Sequence, residues 1–431
     1  MTSQYRVNYH LRAHKRDNLI EFIKGMLLTP FVLHSQPAPA QLPDGTRETI
    51  SSSADDDSRS SPEEEANAER YAGIFSNIES LINEHRELTQ HGIPSYSRLA
   101  RLVPSIGTFF TALPLERAFR HINERNKISA RKYVPPSFND IRRILNSAQM
   151  MAIAEELQLV TFDGDMTLYA DGQNFEPDSE LTGLLIGLLQ RHVSVAIVTA
   201  AGYGADAARY EQRLAGLLRG FAAAKLSAAE VGRFYVLGGE CNFLFRCRAD
   251  YRLEFLDDSQ YKSSALRSWT DEQVQQLLDV AEADLTDCVQ RMGIQARILR
   301  KPRAVGLVPS ETLTREQLDE CALSSQVALL KFQGSPKSQP CDVPIPFCAF
   351  NGGADCWVDI GNKLIGVRIL QELVASPPAA TLHVGDQFLS TGNDISTRAA
   401  CCTCWIVNPD ETRSMLTELE AILDQKQEHS G

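Results

Sequence analysis

Residues 159–169 read LVTFDGDMTLY, an apolar run that ends in two aspartates, Asp163 and Asp165, one residue apart. This pattern is typical of a buried parallel strand, which delivers polar residues to the carboxyl edge of an open α/β sheet. A carboxylate at that edge can hold a divalent cation, attack phosphorus, or do both. The alternative is a capped strand end without chemistry, so the interpretation depends on residues further along the chain.

The composition of the chain argues against several classes of protein. It has 431 residues, enough for two or three domains, of which 43% are hydrophobic and 23% charged. The formal net charge of -12 argues against nucleic-acid binding, which needs a basic face, but a small anionic substrate stays possible. The N-terminus is too polar for a signal peptide and no apolar run reaches transmembrane length, so no membrane association is expected.

The cysteine pattern indicates a reducing compartment. Ten cysteines are scattered along the chain, which is typical of a cytoplasmic protein with buried thiols. Cys401, Cys402 and Cys404 cluster, but neither a nearby histidine nor a second pair completes a zinc set.

Residues 1–150 are predicted to form a helical N-terminal region with an assembly or regulatory role. Apolar residues recur at helical spacing within residues 1–35, and Pro30 is expected to end that helix. Residues 36–68 are rich in Pro, Ser, Asp and Glu, and they cannot bury enough apolar surface to offset their ordering entropy. We therefore expect a disordered loop there. Helical patterns resume from about 69 to 156, with Ser137 as a candidate cap of the last helix.

The strand before Asp163 is predicted to have a parallel neighbour. It is followed by an Asp171-Gly172 turn, a helix near 179–191 and a second buried strand at 193–199. A strand–helix–strand unit makes its two strands parallel neighbours, so Thr199 is expected at the same sheet edge as Asp163. The Thr199 hydroxyl suits a phosphate oxygen, or it caps the next helix.

A long insertion then interrupts the alternation of strands and helices. Residues 221–345 are predicted to form an α+β cap over the active edge, with strands at 233–237, 242–247, 252–256 and 297–308 and helices at 270–291 and 314–331. The alternation of strands and helices is expected to return at 355–363, where Lys363 follows a strand. The predicted catalytic core therefore comprises residues 151–220 and 346–431. The predicted fold class is α/β: a Rossmann-like parallel sheet core with a large α+β cap insertion and a helical N-terminal region.

Four sets of polar residues fall at predicted sheet edges or helix starts: Asp163 with Asp165, Thr199, Lys363, and Asp386 with Asp394. Phosphoryl transfer needs such a set, because a cation, a lysine and hydroxyl or amide donors offset the charge on the phosphoryl oxygens. Two or three carboxylates suit Mg²⁺. One carboxylate can attack phosphorus, and a second can protonate the leaving oxygen and then activate water.

In this order, the motifs resemble those of the haloacid dehalogenase-like phosphatases: Asp-x-Asp-x-Thr, a Ser or Thr after a strand, a Lys, and an acidic pair near Gly-Asp. Longer stretches are similar to the IMP-specific 5'-nucleotidases of fungi and some protozoa, namely 131–142 (RKYVPPSFNDIR), 161–169 (TFDGDMTLY) and 357–363 (WVDIGNK). The resemblance implies Mg²⁺-dependent hydrolysis of inosine monophosphate (IMP) to inosine and phosphate. It also implies a homotetramer that ATP activates.

The resemblance also implies roles for the acidic residues. Asp163 would be the nucleophile that forms an aspartyl-phosphate, and Asp165 the general acid and base. Mg²⁺ would bind Asp163, the backbone carbonyl of Asp165, and Asp386. Asp394 would order a metal-bound water or hold Lys363, and its alternative is a helix or turn cap.

The remaining candidates would bind the substrate or an effector. Thr199 and Lys363 would clamp the phosphate. Asp171 and Asp355 match positions that contact the nucleotide, since a carboxylate accepts hydrogen bonds from ribose hydroxyls or a purine N–H; turn chemistry is the alternative. Basic residues of the N-terminal region could receive effector phosphates or form a solvated helical face; the candidates are Arg131, Lys132 and Arg143.

Two other functions stay open. The first is a phosphatase of another phosphorylated metabolite, such as a sugar phosphate, because the cap selects the leaving group. The second is a non-catalytic nucleotide-sensing or scaffolding protein that uses the helical region and the acidic loop. The complete set of motifs favours an enzyme, because a degraded site usually loses one member.

Overall fold

Residues 17–35, 62–263, 266–335 and 344–430 are described by the structure, a computed structural model. The chain divides into two units, residues 1–152 and 153–431. The first is helical and contains α1 (Asn18–Ser35), α2 (Pro62–Gln90), α3 (Arg98–Leu102), α4 (Leu115–Asn126) and α5 (Phe138–Ile153), which ends at the unit boundary. The described residues include no helix with the length and apolarity needed to cross a membrane. Every described cysteine is a free thiol.

Two predictions for the helical unit were wrong. α1 continues through Pro30 to Ser35, because Pro30 lies on the same buried face as Ile23 and Leu27, and this packing offsets the missing backbone hydrogen bond. The disordered loop was expected to reach residue 68, whereas α2 begins at Pro62. Proline suits the first turn of a helix, and the acidic residues 63–65 interact favourably with the helix dipole. The remainder of that loop, residues 36–61, lies outside the described residues.

The second unit contains two sheets. Its strands are β1 (Leu159–Phe162), β2 (Ser194–Val198), β3 (Phe234–Gly238), β4 (Phe243–Cys247), β5 (Leu253–Leu256), β6 (Ala296–Lys301), β7 (Ala304–Pro309), β8 (Phe347–Asn351), β9 (Cys356–Ile360), β10 (Thr381–Gly385) and β11 (Cys402–Trp405). Its helices are α6 (Leu181–Gln190), α7 (Ala207–Arg213), α8 (Ala215–Ala223), α9 (Ala228–Val231), α10 (Asp258–Tyr261), α11 (Asp271–Met292), α12 (Arg315–Gln333), α13 (Lys363–Val374) and α14 (Pro409–Ser430).

The larger sheet has seven strands in the order β11-β10-β1-β2-β3-β4-β5. The first five are parallel, and β4 and β5 are added by antiparallel hairpins. Phe162 pairs with Ile197 of β2 and Val384 of β10, so the three central strands end at one level. These strands are buried along their whole length, as expected for a parallel sheet covered on both faces. The predicted Rossmann-like α/β core is confirmed.

The smaller sheet has four antiparallel strands in the order β6-β7-β9-β8. Its apolar face packs with the buried faces of α11 and α12, which include Leu277, Leu285 and Leu329. The expected limits of the insertion, 221–345, differ from this arrangement. β3, β4 and β5 belong to the larger sheet, and β8 and β9 belong to the smaller one. Alternating strand patterns give no indication of which sheet a strand joins, because that depends on long-range pairing.

Candidate active site

Asp163 is positioned by the parallel ladder. Its backbone N–H donates to the carbonyl of Val384 (2.9 Å), so strand geometry continues one residue beyond β1. The side chain is buried, and its Oδ1 accepts from the backbone N–H of Gly164 (2.7 Å) and lies 2.7 Å from Lys363 Nζ. The sequence therefore places one carboxylate in the interior at the carboxyl edge of the sheet, with its orientation fixed by two donors.

The chain turns sharply between the two aspartates. A Cβ at Gly164 would lie 2.3 Å from the Tyr169 hydroxyl, so only glycine fits there. Met166 adopts a left-handed conformation (φ 58°), and its N–H donates to the carbonyl of Tyr169 (2.8 Å). This closed loop directs Asp165 away from Asp163.

Asp165 lies at the half-buried outer side of the loop. Its Oδ1 accepts from the backbone N–H of Gly172 (2.9 Å) and forms an ion pair with Arg213, at the end of α7. Burial raises the pKa of Asp165, and Arg213 opposes that rise. Gly172 has a left-handed conformation (φ 69°), so the predicted Asp171-Gly172 turn is present and orients a donor toward Asp165.

Lys363 is the first residue of α13 and is fully buried. Its Nζ contacts Asp163 Oδ1 (2.7 Å), Asp394 Oδ1 (2.7 Å) and Asn393 Oδ1 (3.0 Å). Burial alone would lower the pKa of Lys363, but the carboxylates of Asp163, Asp394 and Glu240 outweigh it and hold the pKa well above the usual range. The lysine is therefore charged and directed inward, as predicted, although β9 before it belongs to the smaller sheet.

Asp394 is fully buried and satisfies several donors. Its Oδ1 is 2.7 Å from Lys363 Nζ and 2.9 Å from His383 Nε2, and its Oδ2 accepts from the N–H of Gln387 (2.8 Å). Burial alone would raise the pKa of Asp394, but Lys363 and His383 outweigh it and hold the pKa well below the usual range. Of its predicted roles, holding Lys363 is the one that these contacts favour.

His383 connects the hydrogen-bond network of Lys363 and Asp394 to the neighbouring strand β1. It is fully buried in β10, and burial lowers its pKa, so the ring is neutral. Since Asp394 is ionised, Nε2–H donates to its carboxylate, and Nδ1 accepts from the Thr161 hydroxyl (2.8 Å). The ring thereby links β1 to Asp394.

Asp386 follows β10 and carries an unsatisfied atom. Its Oδ1 is buried and accepts no hydrogen bond from the described part of the chain. Burial and the neighbouring Asp394 raise its pKa to about 7. Its backbone carbonyl accepts from the indole N–H of Trp405 (2.8 Å), which fixes the loop. A buried carboxylate oxygen without a donor among the described residues fits the role of a cation ligand.

The residues present fit a divalent cation. One oxygen each of Asp163, Asp386 and Asp394 lies within 4.8 Å of the others, and the described residues contain no further such group. Burial raises the pKa of Asp163 well above its usual range, against the effect of Lys363 and with that of the two other carboxylates. A hard cation with oxygen ligands, such as Mg²⁺, would offset this excess of negative charge. The Asp165 carboxylate is not part of the group.

Thr199 lies beside the loop that carries the aspartates. It is buried after β2, and its N–H donates to the carbonyl of Leu237 (2.9 Å). Its Oγ1 accepts from the N–H of Ala201 (3.1 Å) and lies 3.4 Å from the position of a Cβ on Gly164. The alternative of a helix cap was wrong, because α7 begins at Ala207 and is capped by Asp206.

Asp171 and Asp355 approach each other from different elements. Asp171 is exposed after the Asp165 loop, and Asp355 lies in the hairpin between β8 and β9. Burial raises the pKa of Asp355, the Trp357 side chain lowers it, and Asp171 adds to the rise. Asp171 also contributes to the raised pKa of Asp165. The structure therefore brings both candidates to the outer side of the site.

The predicted effector residues lie in the helical unit. Arg131 forms a bidentate ion pair with Asp140 (2.8 and 3.1 Å) and also donates to the carbonyl of Asn126 (3.1 Å). Asp140 in turn accepts from the N–H of Ser137 (2.8 Å), whose hydroxyl accepts from the N–H of Asp140 (3.2 Å), so Ser137 caps α5 as predicted. The other two candidates, Lys132 and Arg143, are exposed.

Sequence reasoning missed four residues of this network: His383, Asn393, Arg213 and Glu240. A histidine inside a buried strand and an asparagine next to Asp394 are weak signals that could have identified the first two. Arg213 and Glu240 carry no local signal, because they reach the site through tertiary packing. Glu240 is fully buried, and burial raises its pKa to about 7.

Comparison with known proteins identifies the family of this chain. A sequence profile of the family described as IMP-specific 5'-nucleotidase matches residues 1–416. The chain belongs to the IMP-specific 5'-nucleotidase family. Proteins named IMP-specific 5'-nucleotidase 1 from Yarrowia lipolytica and Neurospora crassa are each 42% identical to it, over 100% and 99% of this chain and 100% of each relative. A 5'-nucleotidase is a phosphoric monoester hydrolase, so the predicted enzyme class is confirmed.

Solved structures of this family share the fold. An N-terminally truncated, IMP-bound Plasmodium falciparum IMP-nucleotidase has a TM-score of 0.80 and 32% identity, over 98% of this chain and 100% of that chain. An ATP-bound Plasmodium falciparum IMP-nucleotidase has a TM-score of 0.69 and 36% identity, over 81% of this chain and 79% of that chain.

Proposed function

We propose that this chain hydrolyses IMP to inosine and phosphate in a Mg²⁺-dependent reaction that passes through an aspartyl-phosphate. One observation carries the proposal: Asp163, at the carboxyl edge of the sheet, lies 2.7 Å from the buried Lys363 and within a group of three carboxylates. This arrangement combines a nucleophile, a fixed positive charge and a cation site around one position. The relatives' names supply the identity of the substrate.

Asp163 attacks phosphorus, and the phosphoryl group moves from the O5' of the nucleoside to the carboxylate. The donors on its Oδ1, Lys363 and the Gly164 N–H, fix its orientation for in-line attack. Lys363 and the hydroxyl of Thr199 offset the charge of the phosphoryl oxygens. When bound by Asp163, Asp386, the Asp165 carbonyl and, directly or through water, Asp394, Mg²⁺ supplies further positive charge.

Asp165 transfers protons on the outer side. Its raised pKa allows it to carry a proton, which it donates to the leaving O5' of the nucleoside. The resulting carboxylate then takes a proton from the water that hydrolyses the aspartyl-phosphate. Arg213 holds Asp165 in place and limits the rise of its pKa, so that the group can cycle between its two forms.

The nucleoside is assigned to the outer side of the site, where Asp171 and Asp355 lie. Carboxylates there accept hydrogen bonds from ribose hydroxyls or from the N1–H of hypoxanthine. Adenine carries no N–H at that ring position, so an acceptor there would favour IMP over AMP. This selection depends on the hairpin between β8 and β9, which belongs to the smaller sheet.

Control by ATP is part of the proposal, and the ATP-bound relative supports it. Arg131, Lys132 and Arg143 are the proposed effector residues. Arg131 is already paired with Asp140, so an effector phosphate would compete with that carboxylate. The homotetramer rests on the family resemblance alone. The free thiols of the described cysteines support a cytoplasmic location.

The test is phosphate release from IMP, AMP, GMP and a sugar phosphate, with and without Mg²⁺ and with and without ATP. Mg²⁺-dependent release that is strongest for IMP and raised by ATP is the expected result. Mg²⁺-dependent release with another preference would retain the core chemistry and indicate another phosphorylated metabolite. A folded protein that releases no phosphate under any condition would contradict the proposal and favour a sensing or scaffolding role.

A further inference from the structure

The turn between β3 and β4 has a strained backbone. Gly239, Glu240 and Cys241 all adopt left-handed conformations, with φ of 60°, 49° and 73°. Glycine takes this conformation readily, but a glutamate and a cysteine in succession do so only where the surroundings hold them. The Glu240 N–H donates to the carbonyl of Thr199 (3.2 Å), so the turn is attached to the end of β2.

This turn contacts the backbone around Lys363, the residue whose ammonium group reaches Asp163. Asn242 Nδ2 donates to the carbonyl of Ile360 (2.6 Å), just before α13 begins. A Cβ on Gly361 would lie 2.1 Å from the carbonyl oxygen of Glu240, and one on Gly366 would lie 2.1 Å from Cys241 Sγ. The first turn of α13, which starts with Lys363, is therefore packed directly on the strained turn.

The Glu240 side chain of the same turn is connected to the ammonium group of Lys363 through Asn393. Glu240 is fully buried, and its Oε1 accepts from Asn393 Nδ2 (2.8 Å), while Asn393 Oδ1 lies 3.0 Å from Lys363 Nζ. An ammonium group only donates, so the amide of Asn393 must present its oxygen to Lys363 and its NH₂ to Glu240. Glu240 Oε2 has no partner among the described residues.

We propose that Glu240 is a positioning residue for the reaction: its carboxyl fixes the amide of Asn393, which holds Lys363 Nζ against Asp163. The left-handed backbone of the turn directs this carboxyl into the interior. The inference rests on the proposed function for its kinetic test, and Glu240 itself touches neither Asp163 nor the phosphate.

The test uses three substitutions in the full chain. Glu240→Gly removes the carboxyl and suits the left-handed backbone, so relief of backbone strain offsets part of the cost of the space left by the side chain, and the variant is expected to fold. Its kcat on IMP with saturating Mg²⁺ is expected to fall by tens of fold, up to about 100-fold, as for a small misplacement of a catalytic group. Glu240→Gln keeps an acceptor for Asn393 and should retain kcat within about threefold. The matched control is Lys225→Gly, at another left-handed position that is exposed (φ 54°).

A double-mutant cycle identifies the path of the effect. Combining Glu240→Gly with Asn393→Ala should reduce kcat no further than Asn393→Ala alone, because both act through one contact. Three results would each overturn the inference: an unchanged kcat in Glu240→Gly, an equal loss in Glu240→Gln, or additive losses in the double variant.

A second readout separates this inference from the proposed function. If the unaltered protein releases no phosphate from IMP, the proposed function fails, and a crystal structure of Glu240→Gly decides the inference. The expected result is a reoriented Asn393 amide and a longer distance from Lys363 Nζ to Asp163. An unchanged network in that structure would overturn the proposal.

Discussion

Asp163 and Asp165 are separated by a single residue, but they belong to two different sides of the site. On the inner side, Asp163 is buried and held by Lys363 together with Asp394. On the outer side, Asp165 is partly exposed and held by Arg213. Asp163 is therefore shielded from solvent, whereas Asp165 is partly open to water, with which it can exchange protons. One short loop can therefore supply a nucleophile and an acid–base group, because the burial of the two carboxylates differs.

The largest effect is expected on the inner side. Asp163→Asn should lower kcat by roughly 10⁴-fold or more, because the amide cannot form the phosphoryl-enzyme. The variant should still fold, because Lys363 keeps Asp394 as its charged partner. Phosphate release and thermal unfolding, with the exposed Asp178→Asn as the matched control, check both statements. An active and folded Asp163→Asn enzyme would show that Asp163 is not the nucleophile.

Lys363→Met should affect activity and stability together. Its removal leaves Asp163 and Asp394 buried without their positive partner, so the free energy of unfolding should fall by about 3–5 kcal/mol. The kcat should fall by roughly 10³-fold, since the phosphoryl oxygens lose a fixed charge. Denaturant titration beside phosphate release measures both, and exposed Lys331→Met is the control. A variant as stable as its parent would show that Asp163 and Asp394 are better solvated than their burial indicates.

Asp165→Asn is expected to lower kcat by roughly 10²- to 10⁴-fold and to leave stability almost unchanged. The loss is smaller than at Asp163, because general acid–base catalysis contributes less than the nucleophile and water can replace part of it. A substrate with a better leaving group, such as p-nitrophenyl phosphate, should recover much of the rate of the first step, measured as the release of nitrophenolate in the first turnover. If such a substrate is hydrolysed no better than IMP, Asp165 does not protonate the leaving group.

Arg213→Met should cause the smallest loss of kcat among these variants, but the largest change in the pH profile. Arg213 opposes the burial that raises the pKa of Asp165, so its removal raises that pKa further. Since Asp165 must be protonated to release the nucleoside, the alkaline limb of kcat should move to higher pH, with a loss below about tenfold at the optimum. Exposed Arg219→Met serves as the control. An unmoved limb would assign the proton transfer to another group.

The carboxylates on both sides of the site were predicted from the sequence, but most of the residues that hold them in place were not. Asp163, Thr199 and Asp386 each follow an apolar strand, and parallel strands place such residues at one edge. Lys363 was predicted in place, although its strand joins the other sheet. Arg213 comes from a helix whose direction depends on tertiary packing.

The limits of the insertion could not be predicted for a related reason. Strand patterns indicate which residues are buried, but they do not identify the pairing partner. β3 and β9 are both short buried strands, yet the first joins the parallel sheet and the second an antiparallel one. Glu240 was missed because its function depends on a left-handed turn that no local pattern indicates.

The contact between Trp405 and Asp386 gives the site an optical reporter. The indole N–H donates to the backbone carbonyl of Asp386, whose side chain is a proposed cation ligand. A cation at that carboxylate would shift the electric field at the ring, so its ultraviolet emission would report occupancy without substrate or turnover. Tryptophan occurs only three times in this sequence, so replacing Trp269 and Trp357 by phenylalanine would isolate the signal.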